Sequence, residues 1–476
     1  MFLSRRTFFK AAGVSIASTL IGGCQQFTIN DKSSAKPNIL FILTDDQGWA
    51  DFSNSFDSRF PQAYCDVFNT PHMNDFLESA LRFTDAYASA PICTPTRRSI
   101  QFGMTPARQK GTEFIGQFDP SGKWSIAQAI KSADHDYKCA HFGKWGGVFT
   151  GTWKDKQSQQ PGSPANLGYD EQDGMGCNDE GGIYLDVRIP DKLDRNDICE
   201  PFDDPKQMFS LTDKSIDFMR RQSERGNPFY LQLSHYAIHI ACQATQRTMD
   251  KYENTPQPDR KVVDGIAPML EDMDTSIGRL LQAVEDLGIA DNTYIFFASD
   301  NGGKDWHIWD NDNTRKERNH PLRMYKQTLY EGGIRVPFAV KGPGIKKGVC
   351  KIPVATYDLF PTFYDIVGGR ADVPQELDGT SLVPILKGKS DKDISRPNDG
   401  LIFHRPLPPD PKVEGQSAYR QGDYKLMLFW TREGELKRTE LYDLSKDIRE
   451  ENDLSDQMPQ KVARLKKILL DYLAKI

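Results

Sequence analysis

Two apolar runs limit the fold of this chain more than anything else in it. Ile39-Leu-Phe-Ile-Leu-Thr44 and Thr293-Tyr-Ile-Phe-Phe-Ala-Ser299 show no polar alternation. A strand that is apolar on both faces belongs inside a parallel sheet covered by helices on both sides. Both runs stop at oxygen-bearing pairs, Asp45-Asp46 after the first and Asp300-Asn301 after the second. In open α/β sheets, ligands collect at the carboxyl ends of the strands. Neighbouring carboxylates there repel each other unless a cation or solvent screens them. The pattern reads as metal ligation, with a solvated Asp-Asp turn as the plainer alternative.

The intervening sequence supplies the remaining layers. Residues 137–142 and 228–234 read as two more strands. Residues 74–79, 125–131, 208–220 and 269–287 have helical spacing. The last of these places apolar residues at 273, 277, 280, 281, 284 and 287 in one stripe, which is a core face. Residues 150–205 look like an insertion over the sheet edge, and 304–325 like a polar loop carrying Trp306, His307, Trp309 and His320. After a linker at 387–399, residues 419–430 suggest a hairpin, 440–444 a strand and 462–473 a closing amphipathic helix.

Net charge is −6 over 476 residues, which argues against nucleic acid as a partner. An anionic substrate then needs a local basic pocket. The first 24 residues read as an address. Ser4-Arg5-Arg6-Thr7-Phe8-Phe9-Lys10 is similar to a twin-arginine export signal, and Ile21-Gly22-Gly23-Cys24 resembles a lipoprotein cleavage box. Residues 25–36 form a tether. The expectation is an exported protein of a Gram-negative bacterium, periplasmic or anchored to the outer membrane, with a lipid on Cys24 as its only membrane contact. Of the eight cysteines, Cys177 and Cys199 are the favoured pair, and no CxxC metal spacing occurs.

The most specific motif is Cys93-Thr-Pro-Thr-Arg97. Pro95 suits the first turn of a helix. Cys93 then sits at the helix N-terminus, where free N–H groups favour an anion. Arg97, one turn on, reaches back to the same spot. Cys-x-Pro-Ser/Thr-Arg resembles the signature of the type I sulfatases; the bland alternative is a buried or disulfide cysteine. Further segments match in order: Asp45-Asp46, Gly143-Lys144-Trp145, His239 after its strand, Ser299-Asp300-Asn301-Gly302, and Lys326 before Glu331-Gly-Gly-Ile-Arg-Val-Pro337.

The resemblance implies an α/β chain of the alkaline-phosphatase-like type: a mixed, mostly parallel sheet sandwiched by helices in a catalytic domain, residues 37–390. A smaller α+β subdomain on an antiparallel sheet, residues 391–476, completes it. It also implies that a formylglycine-generating enzyme oxidises Cys93 to formylglycine. Asp45, Asp46, Asp300 and Asn301, with the modified Cys93, would hold the metal. An all-oxygen donor set suits Ca²⁺, with Mg²⁺ second, and suits zinc poorly. By the same resemblance Arg97 steadies the aldehyde hydrate, Lys144 and Lys326 face sulfate oxygens, and His239 stands with Lys326 at the leaving oxygen.

Two positions depart from the family pattern. Gly146 stands where the family has histidine, and Phe102 where it has threonine before Gly103. His141 is a tempting substitute for the missing histidine but reads as a packed residue, as does His235. The function implied is hydrolysis of sulfate esters on a carbohydrate, such as a carrageenan, an ulvan or a glycosaminoglycan. A phosphonate or phosphate monoesterase of the same superfamily and a catalytically silent glycan-binding lipoprotein are the other readings.

Overall fold

The computed structural model describes residues 36–114, 118–146, 162–173, 199–256, 265–304, 307–309, 315–390 and 394–476. The first 35 residues with Cys24, Cys177, Trp306 and most of the 150–205 stretch lie outside the described residues.

Eight strands form the main sheet: β1 (Asn38–Thr44), β2 (Leu81–Phe83), β3 (Lys138–Gly143), β4 (Glu171–Asp173), β5 (Phe229–Ser234), β6 (Thr293–Ser299), β7 (Phe338–Lys341) and β8 (Gly348–Cys350). Their order is β8-β2-β7-β6-β1-β5-β3-β4. From β6 to β4 every pairing is parallel, whereas β7 runs against both of its neighbours. The expected mixed, mostly parallel sheet is therefore present. Six helices cover it: α1 (Pro71–Ser79), α2 (Cys93–Phe102), α3 (Ile126–Ala133), α4 (Met208–Arg225), α5 (Ala267–Asp286) and α6 (Leu359–Ile366).

Successive strand residues point to opposite faces, so the unbroken apolar runs build two cores. Leu40, Ile42, Leu231, Leu233 and Phe297 pack under α1, α4 and α5. Ile39, Phe41, Leu43, Tyr230 and Phe296 pack under α2, α3 and α6. The α5 stripe is core as expected: Met273, Ile277, Leu280 and Val284 are buried, and Leu281 and Leu287 lie at its margin.

The C-terminal part is an antiparallel meander of β9 (Leu401–Arg405), β10 (Gly415–Gln421), β11 (Tyr424–Trp430) and β12 (Leu436–Asp443), with α7 (Pro459–Lys475) on one face. Its other face brings Phe403, Ala418, Met427 and Phe429 against Tyr87, Leu329, Ile334 and Tyr357. At this boundary the Lys425 ammonium lies 2.8 Å from Glu331 and 2.9 Å from Glu450, and all three side chains are fully buried. Burial, helped by the Glu331 charge and opposed by Lys425, pushes the Glu450 carboxyl up to about 7. A carboxyl raised in the folded state binds its proton more tightly there than in the unfolded chain. Its contribution to stability therefore falls as pH rises from about 4.5 to about 7. Glu450→Gln should flatten the pH dependence of urea unfolding across that window by on the order of 2 kcal/mol relative to wild type.

Two described pieces of the 304–325 stretch are strand rather than loop. The backbone of His307–Trp309 pairs antiparallel with Arg315–Glu317. Arg318 and Asn319 are buried, because Asp51 and the backbone of Gly303 satisfy their polar groups.

Candidate active site

Parallel register brings the strand ends level. Thr44 lies opposite Ser299, and Leu43 and Gly143 lie opposite Ser234. Asp45-Asp46, Asp300-Asn301, Lys144 and the segment 235–239 consequently leave the sheet at one edge. Helix α2 meets them there, beginning at Cys93. The turn before it is pinned: Thr96 Oγ1 donates to Ala90 O at 3.0 Å, and the Gln327 N–H donates to Pro91 O at 2.8 Å.

All nine residues singled out from sequence gather at this edge; eight are buried, and His239 is partly exposed. Ligand atoms of Asp45, Cys93 and Asp300 lie within 4.8 Å of one another. Arg97 reaches back as its spacing suggests. Its Nε donates to Asp300 Oδ2 at 2.8 Å and its Nη1 to Lys144 O at 2.6 Å. Lys144 Nζ meets Asp45 Oδ2 at 2.5 Å, and Lys326 Nζ meets the Asp46 carboxylate at 2.5 and 2.7 Å. Asn301 Nδ2 donates to Asp46 Oδ1 at 2.7 Å, which leaves Asn301 Oδ1 as the free acceptor. His239 Nε2 is 3.7 Å from Asp46 Oδ2, and its Nδ1 donates to Ile240 O at 2.6 Å.

The electrostatics follow from burial and pairing. Burial opposes the charge on every group here. Lys144 nevertheless holds the Asp45 carboxyl below the usual carboxylate range, and Lys326 does the same for Asp46. Asp300 goes the other way, pushed up to about 7 by burial and then by the Asp45 charge. Burial pushes His239 down to about 3, so its imidazole is neutral in the free site.

The site fits a hard cation on two observations. Asp45 Oδ1 and Asn301 Oδ1 are buried with no hydrogen-bond partner. A buried acceptor left unpaired is unfavourable by about 1–3 kcal/mol, and two such oxygens beside two further carboxylate groups want a positive partner. Asp46 is the exception among the expected ligands, since both of its oxygens are already taken by Lys326.

His141 is a packed residue. It is fully buried between the rings of Trp145 and Tyr169, its Nε2 is 3.2 Å from Ser234 Oγ, and burial pushes it down to about 3. His235 is likewise buried and has no hydrogen-bond partner on either ring nitrogen. The Cys177–Cys199 pairing falls outside the described residues; Cys93, Cys139 and Cys350 are free thiols.

Both departures from the motif have a local explanation. Phe102 is core, edge-on to Phe118 with ring centres 4.8 Å apart. Gly146 has φ of +83°, and a Cβ there would meet Arg97 Cδ at 2.4 Å. The arginine thus occupies the room a side chain at 146 would need. Restoring the family histidine by Gly146→His should lower kcat/KM at least tenfold rather than raise it. A left-handed non-glycine residue is unfavourable by about 1–2 kcal/mol, and Arg97 must also move off Asp300. Steady-state kinetics beside a melting curve checks this.

Sequence reasoning missed Arg318 and Asp51. Asp46 has φ of +60°, a conformation most side chains avoid. Arg318 holds it there by donating from Nη2 to Asp46 O at 2.8 Å while pairing with the Asp51 carboxylate. Asp51 Oδ2 in turn accepts from the Gly48 N–H at 2.5 Å. The two residues are 267 positions apart, and no local pattern announces the pair.

Comparison with known proteins agrees with this geometry. Residues 37–369 match the family model described as Sulfatase, and residues 322–475 match the one described as N-sulphoglucosamine sulphohydrolase, C-terminal. A "Sulfatase" of Formosa agariphila is 26% identical, over 90% of this chain and 86% of that protein. Human arylsulfatase A is 27% identical, over 83% and 75% respectively. The fold is similar to that of Ps i-CgsB, solved in complex with k-i-k-neocarrahexaose: TM-score 0.70, 24% identity, 92% of this chain and 93% of that one. The match across residues 37–369 decides the matter: the chain belongs to the sulfatase family, and it is a sulfuric ester hydrolase.

Proposed function

We propose that this protein removes sulfate from a sulfated carbohydrate, using formylglycine made from Cys93 and a bound Ca²⁺, with Mg²⁺ as second choice. The observation that carries the reading is the convergence of Asp45, Cys93 and Asp300, with two orphaned oxygens beside them. The aldehyde hydrate at position 93 would supply one hydroxyl to attack sulfur and a second whose collapse expels sulfate. Asp45, Asp300 and Asn301, with Asp46 once Lys326 releases it, would hold the cation, which would offset their charge and that of the sulfate oxygens.

The chain's own residues do the rest. Arg97, fixed by Asp300 and by Lys144 O, holds the hydrate in place. Lys144 and Lys326 are compact charges for the sulfate oxygens. His239 and Lys326 both border Asp46 and so share the leaving-group side, where Lys326 is the member that carries a proton in the free site. We assign protonation of the departing alkoxide to this pair.

The carbohydrate reading is supported by the fold neighbour solved with a carrageenan-type hexasaccharide. Export through the twin-arginine segment and a lipid anchor at Cys24 belong to the same proposal, as does maturation by a formylglycine-generating enzyme. The test is paired turnover of 4-nitrophenyl sulfate and 4-nitrophenyl phosphate by protein co-expressed with that enzyme. Sulfate release should dominate. Faster release of phosphate would transfer the site to a phosphomonoesterase.

A further inference from the structure

Asp45-Asp46 and Asp300-Asn301 leave the sheet on neighbouring strands, β1 and β6. Beyond the strand ends the ladder of backbone hydrogen bonds no longer sets the gap between the two loops. Other contacts must set it, because a cation shared by both loops needs its oxygens at fixed separations. The Asp46 N–H donates to Asp300 Oδ1 at 3.2 Å, a long bond that also draws on an oxygen of the ligand set.

Two adjacent buried residues supply the rest, one for each loop. Arg318 grips the first. Its Nε and Nη2 meet Asp51 Oδ2 at 3.0 and 2.5 Å, and Nη2 also donates to Asp46 O at 2.8 Å. The Arg318 carbonyl accepts from the Ala50 N–H at 2.9 Å, so main chain and side chain hold the same loop. Asn319 grips the second loop by both ends of its amide. Its Oδ1 accepts from the Gly303 N–H at 2.8 Å, and its Nδ2 donates to Gly303 O at 2.9 Å. The same Gly303 O accepts from the Lys326 N–H at 3.0 Å, which hangs the segment of that lysine on the clip as well. The loops meet directly where the clip closes. A Cβ on Gly48 would lie 2.4 Å from Arg318 O, and one on Gly303 would lie 3.0 Å from Gly48 Cα. Glycine is what lets these backbones approach so closely.

We infer that Arg318 and Asn319 are positioning residues for the cation: together they fix the gap between the two ligand-bearing loops, and so set the affinity of the site for Ca²⁺. Neither is itself a ligand. Groups that orient metal ligands from behind change affinity or activity by about 10–100-fold when they are replaced. The inference rests on the cation reading above.

The experiment measures the Kd for Ca²⁺ by isothermal titration calorimetry on metal-stripped, full-length wild type, Asn319→Ala and Arg318→Lys. Lysine keeps a charge opposite Asp51 but lacks the fork that reaches Asp46 O at the same time. Leu469→Ala serves as a destabilised control, since Leu469 packs in the core under α7, a cluster that contains neither loop. Each clip variant should raise the Kd about tenfold or more, and the control should leave it unchanged. Melting curves without metal show which proteins are folded. An unchanged Kd in either folded clip variant overturns the inference and leaves the cation reading standing. So does an equal rise in Leu469→Ala, or loss of the folded state in both clip variants, since either makes the pair general scaffold. A wild type that binds no Ca²⁺ overturns the cation reading and this inference with it.

Discussion

Cys93→Ala should reduce kcat for sulfate release by about 10⁴-fold or more while leaving the protein folded. The reason lies in how little else the side chain does. Cys93 opens helix α2, where an alanine is equally at home, and the thiol makes none of the hydrogen bonds that hold the turn. Arg97, Lys144 and Lys326 keep their carboxylate partners without it. Losing one small buried group should lower Tm by no more than about 4 °C. Activity and stability are thus expected to separate. A large drop in both would mean that Cys93 is part of the scaffold, as in the bland reading of its motif. Differential scanning calorimetry beside a sulfate-release assay distinguishes these outcomes.

Removal of divalent cations should be nearly as damaging. In the site as built, Asp45, Asp46 and Asp300 are balanced by Lys144, Lys326 and Arg97, so every cationic group is spent on a carboxylate. Nothing is left over for an anionic ester, and Asp300 is pushed up to about 7. Dialysis against a chelator should therefore abolish at least about 99% of turnover. Ca²⁺ should restore it, Mg²⁺ less completely and Zn²⁺ not at all, following the preference of an all-oxygen site. Saturating Ca²⁺ should also raise the unfolding free energy by about 3–4 kcal/mol, as expected for a ligand held only by the native state at 100 to 1,000 times its Kd. Full activity in chelator would remove the metal from the account.

Much of this was legible in the sequence because the signals are local. Unbroken apolar strands reveal a covered sheet, and the residues just beyond them fall at its ligand-binding edge by topology alone. The Cys93 motif carries its own helix start in Pro95 and its own partner in Arg97. What could not be read depends on contacts between distant segments. Gly146 looked like a lost catalytic group, and only the fold shows that Arg97 fills its space. Arg318 looked like one more charge in a polar loop, yet it is buried against Asp51 and fixes the left-handed Asp46. The Lys425, Glu331 and Glu450 cluster joins the two sheets through residues that share no motif. His141 shows the converse: next to a motif in sequence, it points into an aromatic core.

The central claim is that the nucleophile is an oxidised Cys93. Mass spectrometry of the peptide spanning position 93, taken from preparations matured to different extents, tests it most directly. Specific activity should rise in proportion to the fraction of Cys93 converted from thiol to aldehyde and extrapolate to zero with none converted. Full sulfate release by protein whose Cys93 remains a thiol would contradict the account.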